Sequence, residues 1–318
     1  MSMSLGALEV IRPGLLTTIQ DLGRYGHQAV GVPVAGPMDG FSHRLANHLV
    51  GNDPAAATLE ITMIGPELLI EVDTTMAIAG ALFEASCDGQ AVPIDTSFAV
   101  QAGQRLKFGR LVQGARAYLS VAGGIRTDGV LGSRATHLVS GMGGLSGRAL
   151  MPGDRVPVLA QTASRPVRKG VGLTLPTGRR ARLRVVPGPQ DDWFQSGALK
   201  ALVGVSFRIS PRSNRMGYRL EGPPLARLDE RELVSEPVGM GAIQVPTSGE
   251  PILLMADRQT AGGYPKIGYV ITADLPLAGQ LAPGDFIEFA VCSRQGAVAA
   301  LIAHERQLLR SADMKDGS

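Results

Sequence analysis

Apolar residues come in short runs along this chain, each broken within a few positions by glycine, proline or a polar pair. The runs PELLIEV, MAIAGALFEA, RLKFG, AYLSVA, RVPVLA, RLRVVP, SFRIS, AIQVP, EPILLMA, GYVITA and FIEFAV therefore predict short strands bounded by turns. Helical periodicity is confined to three stretches. In DGFSHRLANHLVGN, Asp39 stands near an N-cap position, Phe41, Leu45 and Leu49 form one stripe, and Gly51 is the expected C-cap. PQDDWFQSGALKALVG opens with acidic residues, as a helix N-terminus prefers. VAALIAHERQLL places Val298, Leu301, Ile302, Leu308 and Leu309 on one predicted face.

The pattern repeats itself. ALMPGDRVPV (Ala149 to Val158) returns as QLAPGDFIEF (Gln280 to Phe289), each a Pro-Gly-Asp turn followed by an alternating strand. Upstream, AYLSVAGGI parallels ILLMADRQTAGGY, and VIRPG with TIQDLGRYG parallels VVPG with ISPRSNRMGY. Each copy then reaches a Gly-Pro turn, AGPMD or EGPPL. Four matches in one order predict a mainly β chain of two tandem β-barrel domains, closed or nearly closed, with a few short helices. The expected division is 1–163 for the first barrel, 164–181 for a basic linker, 182–293 for the second barrel and 294–318 for a C-terminal helix and tail.

Composition agrees with that picture. Hydrophobic residues make up 44% against 19% charged, a globular balance. The 41 glycines and 21 prolines suit many tight turns. A net charge of +3 argues against a nucleic-acid partner. The N-terminal MSMSLGALEVIRPG lacks the pattern of a signal peptide, and no run approaches the roughly 20 apolar residues that span a bilayer. Cys87 and Cys292 stand far apart without a CxxC or Cys/His cluster, so the expectation is a cytoplasmic protein with reduced thiols and no membrane association.

Several chemistries fall away on spacing. No GxxxxGK[ST] loop is present. GMGGLSG puts Ser146 where a dinucleotide loop needs its third glycine, and it does not sit in a βαβ unit. His43 and His48 are five apart, unlike the ligands of an HExxH helix, so no metal site is expected.

Three polar clusters remain, all in turns between strands. The first offers Gln20, Asp21, Arg24, Tyr25 and His27. The second offers Ser210, Arg212, Ser213, Asn214, Arg215 and Tyr218. The third, DRQTAGGYPKIG, follows EPILLMA and offers Asp257, Arg258, Gln259, Thr260, Tyr264 and Lys266. A turn whose side chains satisfy its own backbone explains any one of them. The second also sets a guanidinium beside an amide and a hydroxyl, which suits a carboxylate or phosphate. The third supplies the Gly262 and Gly263 N–H groups with the Lys266 ammonium nearby, which suits an anion nest. Glu60 and Glu236 hold parallel places in the two copies, each open to a pairing role or to general-base work.

GPMDGFSHRLANHLVGN, SPRSNRMGYRLEGP and SEPVGMGAIQVPTSGEPILLMADRQTAGGYPKIGYVITADLPLAGQLAPGDFIEF together resemble the family of 5-oxoprolinase C subunits. That family is also called allophanate hydrolase subunit 2 or biotin-dependent carboxyltransferase, and is similar to half of the carboxyltransferase region of urea carboxylase. The resemblance runs from about Leu8 to Ser293. It implies two cyclophilin-like β-barrels and a heterocomplex with 5-oxoprolinase subunits A and B that opens 5-oxoproline to glutamate with ATP. It equally allows a carboxyltransferase acting with biotin on urea or a related amide, or a non-enzymatic partner of a kinase inhibitor. No AMKM biotinylation motif is present, so biotin would ride on a separate carrier.

For lactam opening, the residues to expect at the chemistry are Glu236, Asp257 and Lys266. Ser213, Asn214, Arg215, Gln259, Thr260, Gly262, Gly263, Tyr264, Asp21 and Arg24 are the expected contacts to substrate or phosphate. Fixed donors at such a site offset the negative charge that develops on the carbonyl oxygen.

Overall fold

The computed structural model describes residues 3–161, 167–229 and 231–313. Residues 164–166 of the expected linker and 314–318 of the expected tail lie outside the described residues. Nine strands build the first sheet: β1 (Met3–Arg12), β2 (Leu16–Gln20), β3 (Thr58–Thr62), β4 (Glu67–Ile70), β5 (Thr74–Cys87), β6 (Gln90–Ala91), β7 (Thr96–Val100), β8 (Arg105–Val121) and β9 (Arg155–Gln161). Helix α1 (Gly40–Leu49) enters between β2 and β3. The main path runs β2-β3-β8-β4-β1-β9, with β5 joining β8 to β6 and β7.

RLKFG and AYLSVA are thus parts of one strand, β8, rather than two. The polar stretch between them stays paired to β5 through three register shifts from Gly80 to Ala85, and bulges of this kind bend a sheet without ending it. Burial along β5 shows the layers. Beyond Ala81 it alternates, with Leu82 and Glu84 exposed and Phe83 and Ala85 buried. Before that point both faces are covered. Met76 and Ile78 join the main core, while Ala77 and Ala79 meet Phe41, Leu45 and Leu49 of α1. The small alanines let the helix approach, and each fully buried Phe or Leu on it contributes about 1.5–3 kcal/mol.

Asp39 caps α1 as predicted, its Oδ1 accepting from Ser42 N at 2.9 Å. The C-cap is Val50, and Gly51 follows it in left-handed backbone at φ 68°.

The second set of strands is β10 (Arg180–Pro187), β11 (Ser206–Ile209), β12 (Gly217–Glu221), β13 (Glu236–Pro237), β14 (Ala242–Gln244), β15 (Ile252–Leu254), β16 (Ala261–Gly262), β17 (Lys266–Val270) and β18 (Phe286–Val291). Seven of them close a barrel in the order β10-β17-β14-β15-β12-β11-β18, and β13 pairs with β16 as a separate two-stranded ribbon. Closure is made by β18 lying parallel to β10, from Arg180↔Phe286 to Val185↔Val291. Leu183, Val185, Phe207, Ile209, Ile243, Leu253, Ile267, Ile287 and Phe289 are buried in this half, and side chains fill a barrel of this size.

Two helical expectations and one strand expectation shift. PQDDWFQSGALKALVG divides into a 3₁₀ turn, Asp191–Trp193, and α2 (Ala198–Val203), because Gly197 at φ 95° breaks the run. Thr272–Asp274 of GYVITA is 3₁₀ and leads into α3 (Leu275–Gly279). In α4 (Arg294–Asp313) the predicted apolar face is split: Leu308 joins the core around α1, whereas Val298, Ile302 and Leu309 are exposed. No described helix is long and apolar enough to cross a membrane.

The chain forms two compact units. One holds Met1–Arg24, Ala35–Leu175 and Glu305–Ser318, and the other holds Tyr25–Val34 and Pro176–His304. Both carry the repeated Pro-Gly-Asp turn in the same geometry. Gly153 (φ 84°) donates its N–H to Val10 O, and Gly284 (φ 89°) to Ile209 O, both at 2.8 Å. Asp154 accepts from Met151 N at 2.7 Å and pairs with Arg148; Asp285 accepts from Ala282 N at 2.9 Å and pairs with Arg179.

Candidate active site

The barrel of the second unit brings a buried cation to a partly open carboxylate. Lys266 begins β17, opposite Gln244 of β14 at a register shift in that pair. Glu236 begins the β13–β16 ribbon, opposite Gly262. The Lys266 ammonium forms an ion pair with Glu236 Oε1, with side-chain exposures of 1% and 38%. Gln190 ties the two together: its Nε2 donates to Glu236 Oε1 at 3.0 Å, and its Oε1 accepts from Lys266 N at 3.2 Å. Gly188 permits this arrangement, since a Cβ there would lie 2.1 Å from Lys266 O.

A second amide stands beside the ribbon. Gln244 Oε1 accepts from Gln259 Nε2 at 3.4 Å, and Gln244 Nε2 is buried without a hydrogen-bond partner among the described residues. A Cβ on Gly262 would come within 2.7 Å of Gln244 Nε2 and 3.1 Å of Gln259 Nε2. The glycine thus keeps open the space in front of both amides. A buried N–H left without an acceptor is costly unless something polar meets it.

Charge follows this geometry. The Lys266 ammonium, helped by the Gln190 amide, holds the Glu236 carboxyl below the usual carboxylate range. Burial, and then the nearby Glu236 charge, pushes the Tyr269 phenol up. The site therefore offers an anionic acceptor, a fixed cation beneath it and an unused amide donor. Those are the groups needed to grip an amide by its N–H and its carbonyl together.

Of the residues expected from sequence, Glu236, Lys266, Gln259 and Gly262 meet here. Gly262 and Gly263 are not in left-handed backbone, and Gly262 is part of β16, so they form no anion nest. Tyr264 is exposed, and Thr260 contributes its carbonyl to Val238 N at 3.1 Å.

Asp257 and Arg215 find each other instead. Both are buried, and the guanidinium reaches the carboxylate through Nε at 2.9 Å and Nη2 at 3.0 Å. Asn214 Oδ1 accepts from Met216 N at 2.8 Å and Ser213 Oγ from Arg219 N at 3.0 Å, so both side chains brace their own turn.

Asp21 and Arg24 belong to the first unit. Asp21 accepts from Ser133 Oγ at 2.6 Å and Arg134 N at 2.5 Å, and Arg24 donates to Ala135 O at 2.5 Å. Glu60 is buried there and accepts from Met38 N at 2.8 Å and Tyr118 Oη at 2.7 Å. The place that is open at Glu236 is closed at Glu60.

Gln190, Gln244 and Tyr269 complete the site without having been expected. Gln244 carried a signal: a polar residue inside the apolar strand AIQVP.

Comparison with known proteins agrees with this architecture. Residues 30–291 match the family model described as carboxyltransferase domain, subdomain A and B. The chain is 42% identical to the C subunit of 5-oxoprolinase from Escherichia coli (strain K12), over 92% of this chain and 94% of that one. It is 34% identical to urea amidolyase of Saccharomyces cerevisiae, over 89% of this chain but 16% of the yeast protein. Among solved structures, K. lactis urea amidolyase superposes with a TM-score of 0.89 at 31% identity, covering 98% of this chain and 20% of that one. The chain therefore belongs to the family of carboxyltransferase domains, subdomain A and B, that includes the C subunit of 5-oxoprolinase.

Proposed function

We propose that this chain is the C subunit of an ATP-dependent 5-oxoprolinase, inactive alone and working with subunits A and B to open 5-oxoproline to glutamate. The observation that carries the reading is the Lys266–Glu236–Gln190 arrangement beside the unpartnered Gln244 donor. Near-full-length similarity to the E. coli protein supports it. Ring opening adds water across the C–N bond, with hydroxyl to the carbonyl carbon and a proton to the nitrogen. ATP supplies the drive by phosphorylating the carbonyl oxygen, so that expulsion of the amine leaves an acyl phosphate, and a second water then releases phosphate from it to complete the glutamate carboxylate. This chain's part is to hold the amide. Glu236 accepts from the lactam N–H, Lys266 and Gln244 Nε2 face the carbonyl oxygen as its charge grows, and Gln259 and Thr260 border the cleft. The buried Asp257–Arg215 pair acts as a positioning element that fixes the loop leading to Gln259.

The test is ATP-dependent glutamate release from 5-oxoproline by this chain mixed with its A and B partners, each omitted in turn. All three are expected to be required. Lys266→Ala and Gly262→Ala are each expected to lower kcat/KM by about 100-fold or more in an assembled complex. Wild-type rates from a folded Lys266→Ala complex would remove Lys266 from the reaction.

A second reading, biotin-dependent carboxyl transfer to urea or a related amide, draws on the match to urea amidolyase over 98% of this chain. It predicts activity that requires a biotin carrier and is blocked by avidin, with no release of glutamate.

A further inference from the structure

The glycine-rich stretch GMGGLSG has no part in the site around Lys266. It walls a cleft of about 680 Å³ in the first unit, together with Arg126, Thr127 and Asp128 just beyond the end of β8. Gly143, Gly144, Ser146 and Gly147 all take left-handed backbone, with φ between 57° and 69°. Runs of this conformation turn successive N–H groups toward one side. The N–H groups of Gly144 and Gly147 are used, donating to Arg134 O and Gly143 O at 2.8 Å. Leu145 is bridged to Arg148, while the N–H groups of Gly143 and Ser146 meet no acceptor among the described residues.

Two further observations point to a ligand. Thr127 lines the cleft at 6% exposure, and its buried Oγ1 has no hydrogen-bond partner among the described residues. Unmet buried hydroxyls are uncommon because each costs about 1–3 kcal/mol. Behind the glycines lies the Arg24 guanidinium, so close that a Cβ on Gly143 would stand 2.6 Å from its Nη2. A buried cation thus biases this wall toward negative charge. Arg126 is exposed at the cleft and spends one Nη2 bond on Gly123 O at 3.0 Å.

Asp128 sets the class of ligand. A cleft of donors alone would suit any oxyanion, but a phosphate dianion would here face the Asp128 carboxylate. A carboxylate that carries its own ammonium satisfies both signs, the carboxylate on the N–H groups and Arg126, the ammonium on Asp128. The geometry points to a second ligand site in the first unit, a cleft that takes a small zwitterion of the α-amino-acid class. It does not depend on the reaction assigned above.

The experiment is an amide-resolved NMR titration of the full chain alone with glycine and L-glutamate, and with glutarate and inorganic phosphate as comparators. At least one amino acid is expected to shift the Gly143 and Ser146 amides saturably, about tenfold more tightly than either comparator. Arg126→Ala is expected to weaken that binding by about tenfold, with melting unchanged. Asp128→Asn is expected to weaken the amino acid while leaving glutarate as it was. The proposal fails if neither amino acid shifts these amides. It fails equally if glutarate or phosphate binds as tightly as the amino acid, which would leave a simple anion cleft.

Discussion

Lys266 and Glu236 share one ion pair but not one environment, since the ammonium is buried and the carboxylate reaches solvent. Loss of either partner therefore has unequal cost. Glu236→Gln strands a buried ammonium and is expected to cost about 3 kcal/mol in urea denaturation. Lys266→Met keeps the aliphatic stem packed and leaves a carboxylate that water can reach, for about 1 kcal/mol. The pH dependence follows from the lowered carboxyl of Glu236. Wild type's advantage over Glu236→Gln is complete above the unfolded carboxylate value of about 4.3 and disappears as pH falls through the lower folded value. An advantage that stayed constant under acid would mean that the pair contributes nothing to stability. The sequence pointed to Lys266 because it stood in a polar cluster, and to Glu236 because it held the place of Glu60 in the second copy. Gln244 stands alone in an apolar strand and Gln190 precedes an acidic pair read as a helix start, and only the pairing of β17 with β14 and β10 sets them beside Lys266. Arg215 and Asp257 were legible as chemistry but not as partners, because they stand 42 positions apart and nothing along that stretch marks their meeting.

Among elements, the repeated turn was the most readable feature and the Gly-Gly pairs the least. Gly153 and Gly284 perform one task twice, a left-handed residue that hands the chain into β9 or β18. Each Gly→Ala change is expected to cost about 1–2 kcal/mol of backbone strain. Gly153→Ala meets open space and pays strain alone, whereas a Cβ at Gly284 also comes within 3.1 Å of Arg179 Nη2. Two similar drops in urea midpoint would show that the repeat is mechanical as well as ancestral. A drop in one only would show that the copies have diverged in load. They have diverged at the other end. Gly123 and Gly124 are both left-handed, while their counterparts Gly262 and Gly263 are not. Sequence alone does not separate these cases, because glycine permits both conformations and the β13–β16 pairing that selects one is non-local.

For the molecule as a whole, two groups of the first unit, the fully buried His43 and the partly buried Asp95, titrate in opposite senses. Burial lowers His43 to about 4 and raises Asp95 to about 7. His43 is neutral when folded and gains a proton on unfolding below about 6.5, so acid destabilises the fold through it. Asp95 holds its proton when folded and loses it on unfolding above about 3.9, so acid stabilises the fold through it. Between pH 5 and 7 each amounts to about 2 kcal/mol, and the two offset one another. Wild-type stability is expected to be nearly flat there, while Asp95→Asn is expected to fall by about 2 kcal/mol from pH 7 to pH 5 in chemical denaturation. An equally flat Asp95→Asn curve would contradict the offset. The alternation of strands made the two-unit plan legible, but not the way the chain is shared between units. Tyr25–Val34 belongs with the second unit, and the end of α4, with Glu305 on Arg44 at 2.8 Å, belongs with the first. A gene split between Leu175 and Pro176 would thus give each product a strip of the other's structure. Produced separately, the two products are expected to be sensitive to protease. Mixed, they are expected to recover one cooperative melt, as the halves of a split reporter do.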